Sequence, residues 1–435
     1  MTLDLTLLLA QLVVVLTAAR FAGVLVRRLG QPAVIGEMLA GIALGPSLLG
    51  AVAPDALVAL FPRDRLLPLS TLSNLGVLLF LFVVGLRLDL GVLRGRAQAA
   101  VAVSHASIIA PFALGAALAP LLHDRLAPAG VGMLPFTLFL GAAMSVTAFP
   151  VLARILEERG LRGTRVGTVA IASAAVDDVT AWCILAAVVA VAEAARGSAD
   201  APWLAFGATI GLAAAWTALL VVVGRPLLAR LAAKGRGTVT PALVSVAVIG
   251  ALVSAWATEM AGVHALFGAF LAGAIVPRGR LGDATGAPAD DGLATTLADR
   301  IEAVTGAVLL PVFFASTGLR TSIGLVEGAT LWAIAAAVLV VAVAGKVGGS
   351  AGAARLLGMP WRDAIAIGTL MNTRGLLELV ILNVGLDIGV IGPELFAIMV
   401  VMALVTTMMT SPCLALLGRL RAPWLDALPA VRHAR

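Results

Sequence analysis

The chain has 435 residues, of which 61% are hydrophobic and 12% charged, with a mean hydropathy of +1.06. Soluble domains carry about 25% charged residues, so most of this chain must sit in lipid. The net charge of +6 is scattered as single and paired basic residues, which excludes a nucleic-acid tract and reads as a topology signal.

A spanning helix needs about 20 apolar residues. Thirteen apolar segments can be drawn: 3–26, 32–50, 69–87, 98–122, 134–156, 165–192, 203–224, 239–257, 262–277, 301–319, 328–354, 361–385 and 393–418. In lipid the backbone must satisfy itself, so these are predicted helices; they are too long for barrel strands. The first lacks a charged leader and a cleavage site, and is expected to be a retained helix. With thirteen crossings, one side receives 22 of the 30 basic residues, the other side 5, and only Arg20, Lys346 and Arg374 lie inside segments away from their ends. By the positive-inside rule the N-terminus is expected outside and the C-terminus in the cytoplasm. Cys183 and Cys413 fall in apolar segments, which argues against a disulfide framework or a metal site.

The second segment contains Glu37, expected half-buried near the cytoplasmic surface, and the fourth contains His105, read as a packing residue. The fifth contains Ser145-Val146-Thr147-Ala148-Phe149-Pro150, where Pro150 removes a helix hydrogen bond and clashes with the Val146 carbonyl. Asp177 and Asp178 stand near the middle of the sixth. Two adjacent carboxylates in lipid cannot both stay ionised without a cation, a proton or a basic partner. Adjacent helix positions point about 100° apart, so the two can face different partners. Glu259 and His264 flank a short outward loop, where solvation explains both. Lys346, deep in the eleventh segment, is the natural basic partner of the acidic pair. The twelfth is interrupted at Asn372-Thr373-Arg374-Gly375, and Arg374 and Glu378, four apart, can pair on one face. Two broken helices free carbonyls and place helix ends at mid-membrane, where a transporter would hold ions.

An internal repeat supports that reading. Gly36-x-x-Leu39-Ala40-Gly41 recurs as Gly268-x-x-Leu271-Ala272-Gly273, and Phe80-x4-Gly85-Leu86-Arg87-x3-Gly91 as Phe313-x4-Gly318-Leu319-Arg320-x3-Gly324, at offsets of 232 and 233. Arg87 and Arg320 are assigned to opposite sides, so the halves are expected to be inverted, the hallmark of secondary transporters. No Gly-rich phosphate loop or metal-ligand cluster is present in the sequence, so no enzyme chemistry and no cofactor are expected.

Five motifs together resemble the monovalent cation:proton antiporter superfamily, second branch, over nearly all of residues 10–415. They are Gln31-Pro32-Ala33-Val34-Ile35-Gly36-Glu37 with Gly45-Pro46, Thr147 to Arg154, Val176-Asp177-Asp178-Val179, His264 to Phe270, and Met371-Asn372-Thr373-Arg374-Gly375-Leu376. The flanking motifs resemble Kef-type and plant cation/proton exchangers. The Asp177–Asp178 pair with a Lys resembles electrogenic bacterial sodium/proton antiporters; plant-type exchangers usually have Asn at the position of Asp177. The resemblance implies an all-α polytopic protein of the Na+/H+ antiporter-like fold, with about 13 transmembrane helices, inverted repeats and two crossing broken helices. It implies a homodimer in the cell membrane, surrounded by lipid, with a single transporter domain over 1–420. Residues 98–192 and 328–418 would form its core, 3–87 and 203–319 its dimerisation scaffold, and 421–435 a short cytoplasmic tail without a regulatory nucleotide-binding domain. By the same resemblance Asp178 binds Na+ or K+ in alternation with H+, Thr147 coordinates the cation, and Asp177 pairs with Lys346. Pro150, Asn372, Thr373, Arg374 and Glu378 would support the site. The rival expectations are an electroneutral K+/H+ exchanger or Kef-like K+ efflux protein, a sodium-coupled organic anion symporter, and a cation channel or membrane sensor.

Overall fold

Amides buried in lipid must find acceptors within their own segment, and runs of Ala, Val and Leu do so as helices. The computed structural model describes residues 4–87, 97–161, 164–194, 202–234, 239–262, 264–277 and 292–419. Among these the regular elements are helical: α1 (Leu5–Arg28), α2 (Ala33–Leu44), α3 (Leu49–Val52), α4 (Pro54–Leu60), α5 (Leu67–Arg87), α6 (Ala97–Leu126), α7 (Met133–Ser145), α8 (Phe149–Glu158), α9 (Arg165–Ala194), α10 (Pro202–Leu219), α11 (Arg225–Lys234), α12 (Pro241–Met260), α13 (Ala265–Ala274), α14 (Leu293–Val304), α15 (Leu310–Arg320), α16 (Gly328–Leu356), α17 (Trp361–Met371), α18 (Leu376–Asp387) and α19 (Pro393–Arg419). Wide π turns at Leu220–Gly224 and Thr305–Leu309 join α10 to α11 and α14 to α15.

Local chemistry sets several ends. Thr240 caps α12 by accepting from the Leu243 N–H, and Pro241 fills its first turn, where no N–H is missed. Gly358, at φ +81°, closes α16 in a left-handed conformation that costs glycine nothing.

Among the described residues, ten helical stretches are long and apolar enough to cross a membrane. The remaining three predicted segments take shorter forms. Segment 134–156 is split into α7 and α8, 361–385 into α17 and α18, and 262–277 carries the ten-residue α13. Arg94, Arg96, Arg162, Arg196, Arg236, Arg278, Arg280, Arg421, Arg432 and Arg435, which entered the charge count, lie outside the described residues, as do Gly91 and the tail 421–435.

The chain divides into two compact units. The first comprises Met1–Arg20, Glu37–Asp89 and Ala186–Arg320; the second comprises Phe21–Gly36, Leu90–Leu185 and Thr321–Arg435. The first is held by apolar packing of Phe82, Val83 and Leu86 against Leu243, Ala247, Leu297 and Ile301, and of Val15 and Leu69 against Val312. Its repeat glycines pack in exchanged pairs. A Cβ on Gly41 would strike the main chain at Ala315, and one on Gly318 the main chain at Gly41. The matching Gly85 and Gly273 face each other across α5 and α13, with the same overlap. Each pair joins one glycine from each motif, so the contact between α2 and α15 is repeated by that between α13 and α5. Gly76 meets Leu309, its own counterpart at an offset of 233. The repeated motifs therefore mark the places where helices approach backbone to backbone.

The second unit holds every residue of the acidic and basic group described next. Its apolar body includes Leu152, Ile155, Val166, Ala170, Ile367 and Leu370.

Candidate functional site

A continuous helix would bond the N–H groups of residues 147, 148 and 149 to the carbonyls of 143, 144 and 145. The backbone turns extended at Val146 (φ −79°, ψ 140°) and separates these partners. Pro150, the second residue of α8, has no N–H to give. The orphaned carbonyls then take cations. Arg374 donates from Nη1 to Ala143 at 3.1 Å and from Nη2 to Met144 at 2.7 Å. Lys346 donates to the Ser145 carbonyl. The released N–H groups go elsewhere: Ala148 donates to the Thr373 carbonyl at 2.9 Å, and Phe149 donates to the Asp178 carboxylate. The C-terminal end of α7, where the helix dipole is negative, thus holds two positive side chains, and the N-terminal end of α8 holds a negative one.

Asp177 is fully buried, and both of its oxygens have polar partners. Its Oδ1 accepts from Ser104 Oγ at 2.5 Å, and its Oδ2 lies 2.8 Å from Ser107 Oγ and 2.7 Å from Thr147 Oγ1. Lys346 Nζ adds an ion pair at 3.1 Å. Lys346 is also fully buried, and its three protons face Asp177, the Ser145 carbonyl and the Ser107 carbonyl at 2.9 Å, with Ser107 Oγ farther off at 3.3 Å. Asp178, one residue on, is only 4% exposed, and its Oδ1 has no hydrogen-bond partner. The two aspartates therefore have different surroundings, as their 100° offset on α9 requires.

The break between α17 and α18 is tied to the first break. Thr147 Oγ1 reaches the Met371 carbonyl at 3.0 Å, and Thr407 Oγ1 bonds both the N–H and the carbonyl of Arg374. A Cβ on Gly375 would come within 2.9 Å of Val151, so a glycine lets the start of α18 approach α8. Arg374 and Glu378 are both fully buried, with Nη1 3.3 Å from Oε2. Neither Glu378 oxygen has a hydrogen-bond donor, and the Asn372 Oδ1 is likewise unpartnered.

Sequence reasoning picked out Asp177, Asp178, Thr147, Lys346, Arg374 and Glu378, and the structure gathers all six in one unit. Thr147 touches Asp177 and Met371 there. Asn372 stands against α19, its Nδ2 3.7 Å from Met409 Sδ. The sequence reading did not single out Ser104 and Ser107, whose i, i+3 spacing on one face of an apolar helix was the available signal. Glu259 and His264 cap α13: Glu259 accepts from Ala265 at 2.6 Å, and His264 from Leu266 at 3.4 Å. His105 turns back to the Val101 carbonyl on an exposed face, and Glu37 is half-buried.

With all groups ionised, three carboxylates (Asp177, Asp178, Glu378) face two cations (Lys346, Arg374). One negative charge is left for one monovalent cation or one proton. A buried carboxylate site where two interrupted helices bond backbone to backbone is the construction of a secondary ion transporter. The chain belongs to the family described as sodium/hydrogen exchanger, transmembrane, whose model matches residues 13–417. It is 41% identical to the Na(+)/H(+) antiporter NhaS4 of Synechocystis, over 94% of this chain and 97% of that protein. It is 36% identical to Cation/H(+) antiporter 19 of Arabidopsis thaliana, over 95% of this chain but 50% of that longer protein. The fold matches that of the sodium proton antiporter MjNhaP1 from Methanocaldococcus jannaschii, with a TM-score of 0.63 at 15% identity, covering 94% of this chain and 97% of that one.

Proposed function

We propose that this chain is a secondary active antiporter that exchanges a monovalent cation, Na+ or K+, for protons at Asp178. The reading is supported most by one contrast: both oxygens of Asp177 have polar partners, whereas the buried Asp178 has an oxygen with no partner. A cation and a proton compete for that carboxylate, because each neutralises it, and the competition couples the two fluxes. Thr147 supplies a further oxygen, the ligand type that both Na+ and K+ take. The names of the relatives, Na(+)/H(+) and cation/H(+) antiporters, agree with this substrate class. Residues 98–192 and 328–418 carry the site, and 3–87 and 203–319 serve dimerisation of two copies. The protein sits in the cell membrane with its N-terminus outside and its C-terminus in the cytoplasm.

The cycle is electrogenic if the Asp177–Lys346 pair gives up a second proton when the cation enters. Moving one net charge is worth about 2.3 kcal/mol per 100 mV, so a voltage set with valinomycin and potassium should change the Na+ flux in proteoliposomes. A voltage-insensitive flux would leave the electroneutral form of the same exchange. Asp178→Asn should abolish cation-driven proton movement in this assay while the protein still purifies folded; retained exchange would overturn the site.

A further inference from the structure

Proline within a helix has no N–H, so the carbonyl four residues earlier loses its helical donor. Three times among the described residues a side chain distant in sequence stands at such a carbonyl. Pro311 follows Ala307, whose carbonyl takes Arg20 Nη2 at 2.7 Å. Pro412 follows Met408, whose carbonyl takes Gln31 Nε2 at 3.0 Å. Pro111 follows Ser107, whose carbonyl takes Lys346 Nζ at 2.9 Å. The third case differs because its donor is the ammonium of the acidic site. The approach is close: a Cβ on Gly345, the residue before Lys346, would lie 2.7 Å from Pro111 Cα. Glycine at 345 therefore lets α16 reach the proline turn, and the lysine next to it enters the open acceptor.

We propose that Pro111 is a positioning residue for Lys346: by withholding an N–H from Ser107 it keeps open a backbone acceptor that fixes the ammonium beside Asp177. The ammonium has three protons, and four acceptors lie in reach: Asp177, the Ser145 and Ser107 carbonyls and, farthest, Ser107 Oγ at 3.3 Å. An N–H at position 111 would take one lone pair of the Ser107 carbonyl and compete with the ammonium for that oxygen, loosening its hold on Lys346. The consequence for ion exchange rests on the function proposed above; the contact itself does not.

The test is a double-mutant cycle on thermal unfolding of the purified full chain in detergent, with Pro111→Ala and Lys346→Met singly and together. In the wild-type background Lys346→Met strips the Ser107 carbonyl of its donor; in the Pro111→Ala background the restored N–H serves it. The Tm loss from Lys346→Met should therefore be smaller by about 2–5 °C in the second background, the scale of one charge-assisted hydrogen bond in a chain this long. Additive losses overturn the proposal. If Lys346→Met does not fold, Lys346→Gln takes its place. The α-hydroxy analogue of alanine at position 111, which has neither ring nor N–H, should behave in the cycle as proline does. If it behaves as alanine does, ring shape is what matters and the proposal fails. Wild-type exchange is measured in parallel: its absence counts against the proposed function and leaves the stability coupling standing.

Discussion

Lys346→Met is expected to lower stability by about 3–5 kcal/mol and to stop exchange. Removing one member of a buried ion pair leaves the other charged and unpaired, and that is where the cost arises. Here the remaining partner is Asp177, fully buried with Lys346 at 3.1 Å. The Ser145 and Ser107 carbonyls lose a donor as well. Three hydroxyls still face Asp177, from Ser104, Ser107 and Thr147, which keeps the loss within the range of a single buried pair. Adding Asp177→Asn removes the stranded charge and should recover a large part of the loss, since the amide oxygen can accept from the hydroxyls on one side and the amide nitrogen can donate to those on the other. Asp177→Asn alone should cost less than Lys346→Met alone, because Lys346 keeps two carbonyls. Thermal unfolding of the four proteins at one pH checks this. A Lys346→Met protein as stable as wild type would mean that the ammonium adds nothing to the fold. Purified Lys346→Met that still exchanged cations for protons would remove the lysine from the transport cycle.

What could be read from the sequence here follows the reach of each interaction. Membrane segments announce themselves because lipid demands about 20 apolar residues in a row, and charges inside them stand out against that background. Asp177, Asp178 and Lys346 were visible for that reason. The interruptions were visible because Pro150 and the Asn372-Thr373-Arg374-Gly375 stretch break a helix locally. Arg374 and Glu378 were readable as a pair, being four residues apart on paper, and they do approach to 3.3 Å. The larger task of Arg374 was not readable. Its two donors go to Ala143 and Met144, 231 and 230 residues away, and no local pattern encodes that distance. Ser104 and Ser107 were passed over because a serine in a helix commonly bonds its own backbone; only the approach of α9 turns them towards Asp177. The repeat glycines were legible as repeated letters, while their exchanged pairing needed coordinates.

That hidden task of Arg374 makes the second large prediction. Arg374→Leu is expected to cost about 5 kcal/mol or more, at the upper end of what single substitutions do. It strands Glu378 as an unpaired buried carboxylate and leaves the Ala143 and Met144 carbonyls without donors, each at roughly 1–3 kcal/mol. Arg374→Lys should recover only part, because one ammonium cannot reproduce the planar fork that reaches two carbonyls and a carboxylate together. Glu378→Gln should cost the least, about 1–2 kcal/mol, since neither Glu378 oxygen receives a hydrogen bond and Arg374 keeps both carbonyls. The ranking carries the argument. If Arg374 served only to neutralise Glu378, removing either partner would leave one buried charge alone, and the two losses would be similar. If it closes the broken end of α7, the arginine must matter more than the glutamate. Thermal unfolding of the three variants decides between these, and equal losses for Arg374→Leu and Glu378→Gln would reduce Arg374 to a counter-ion.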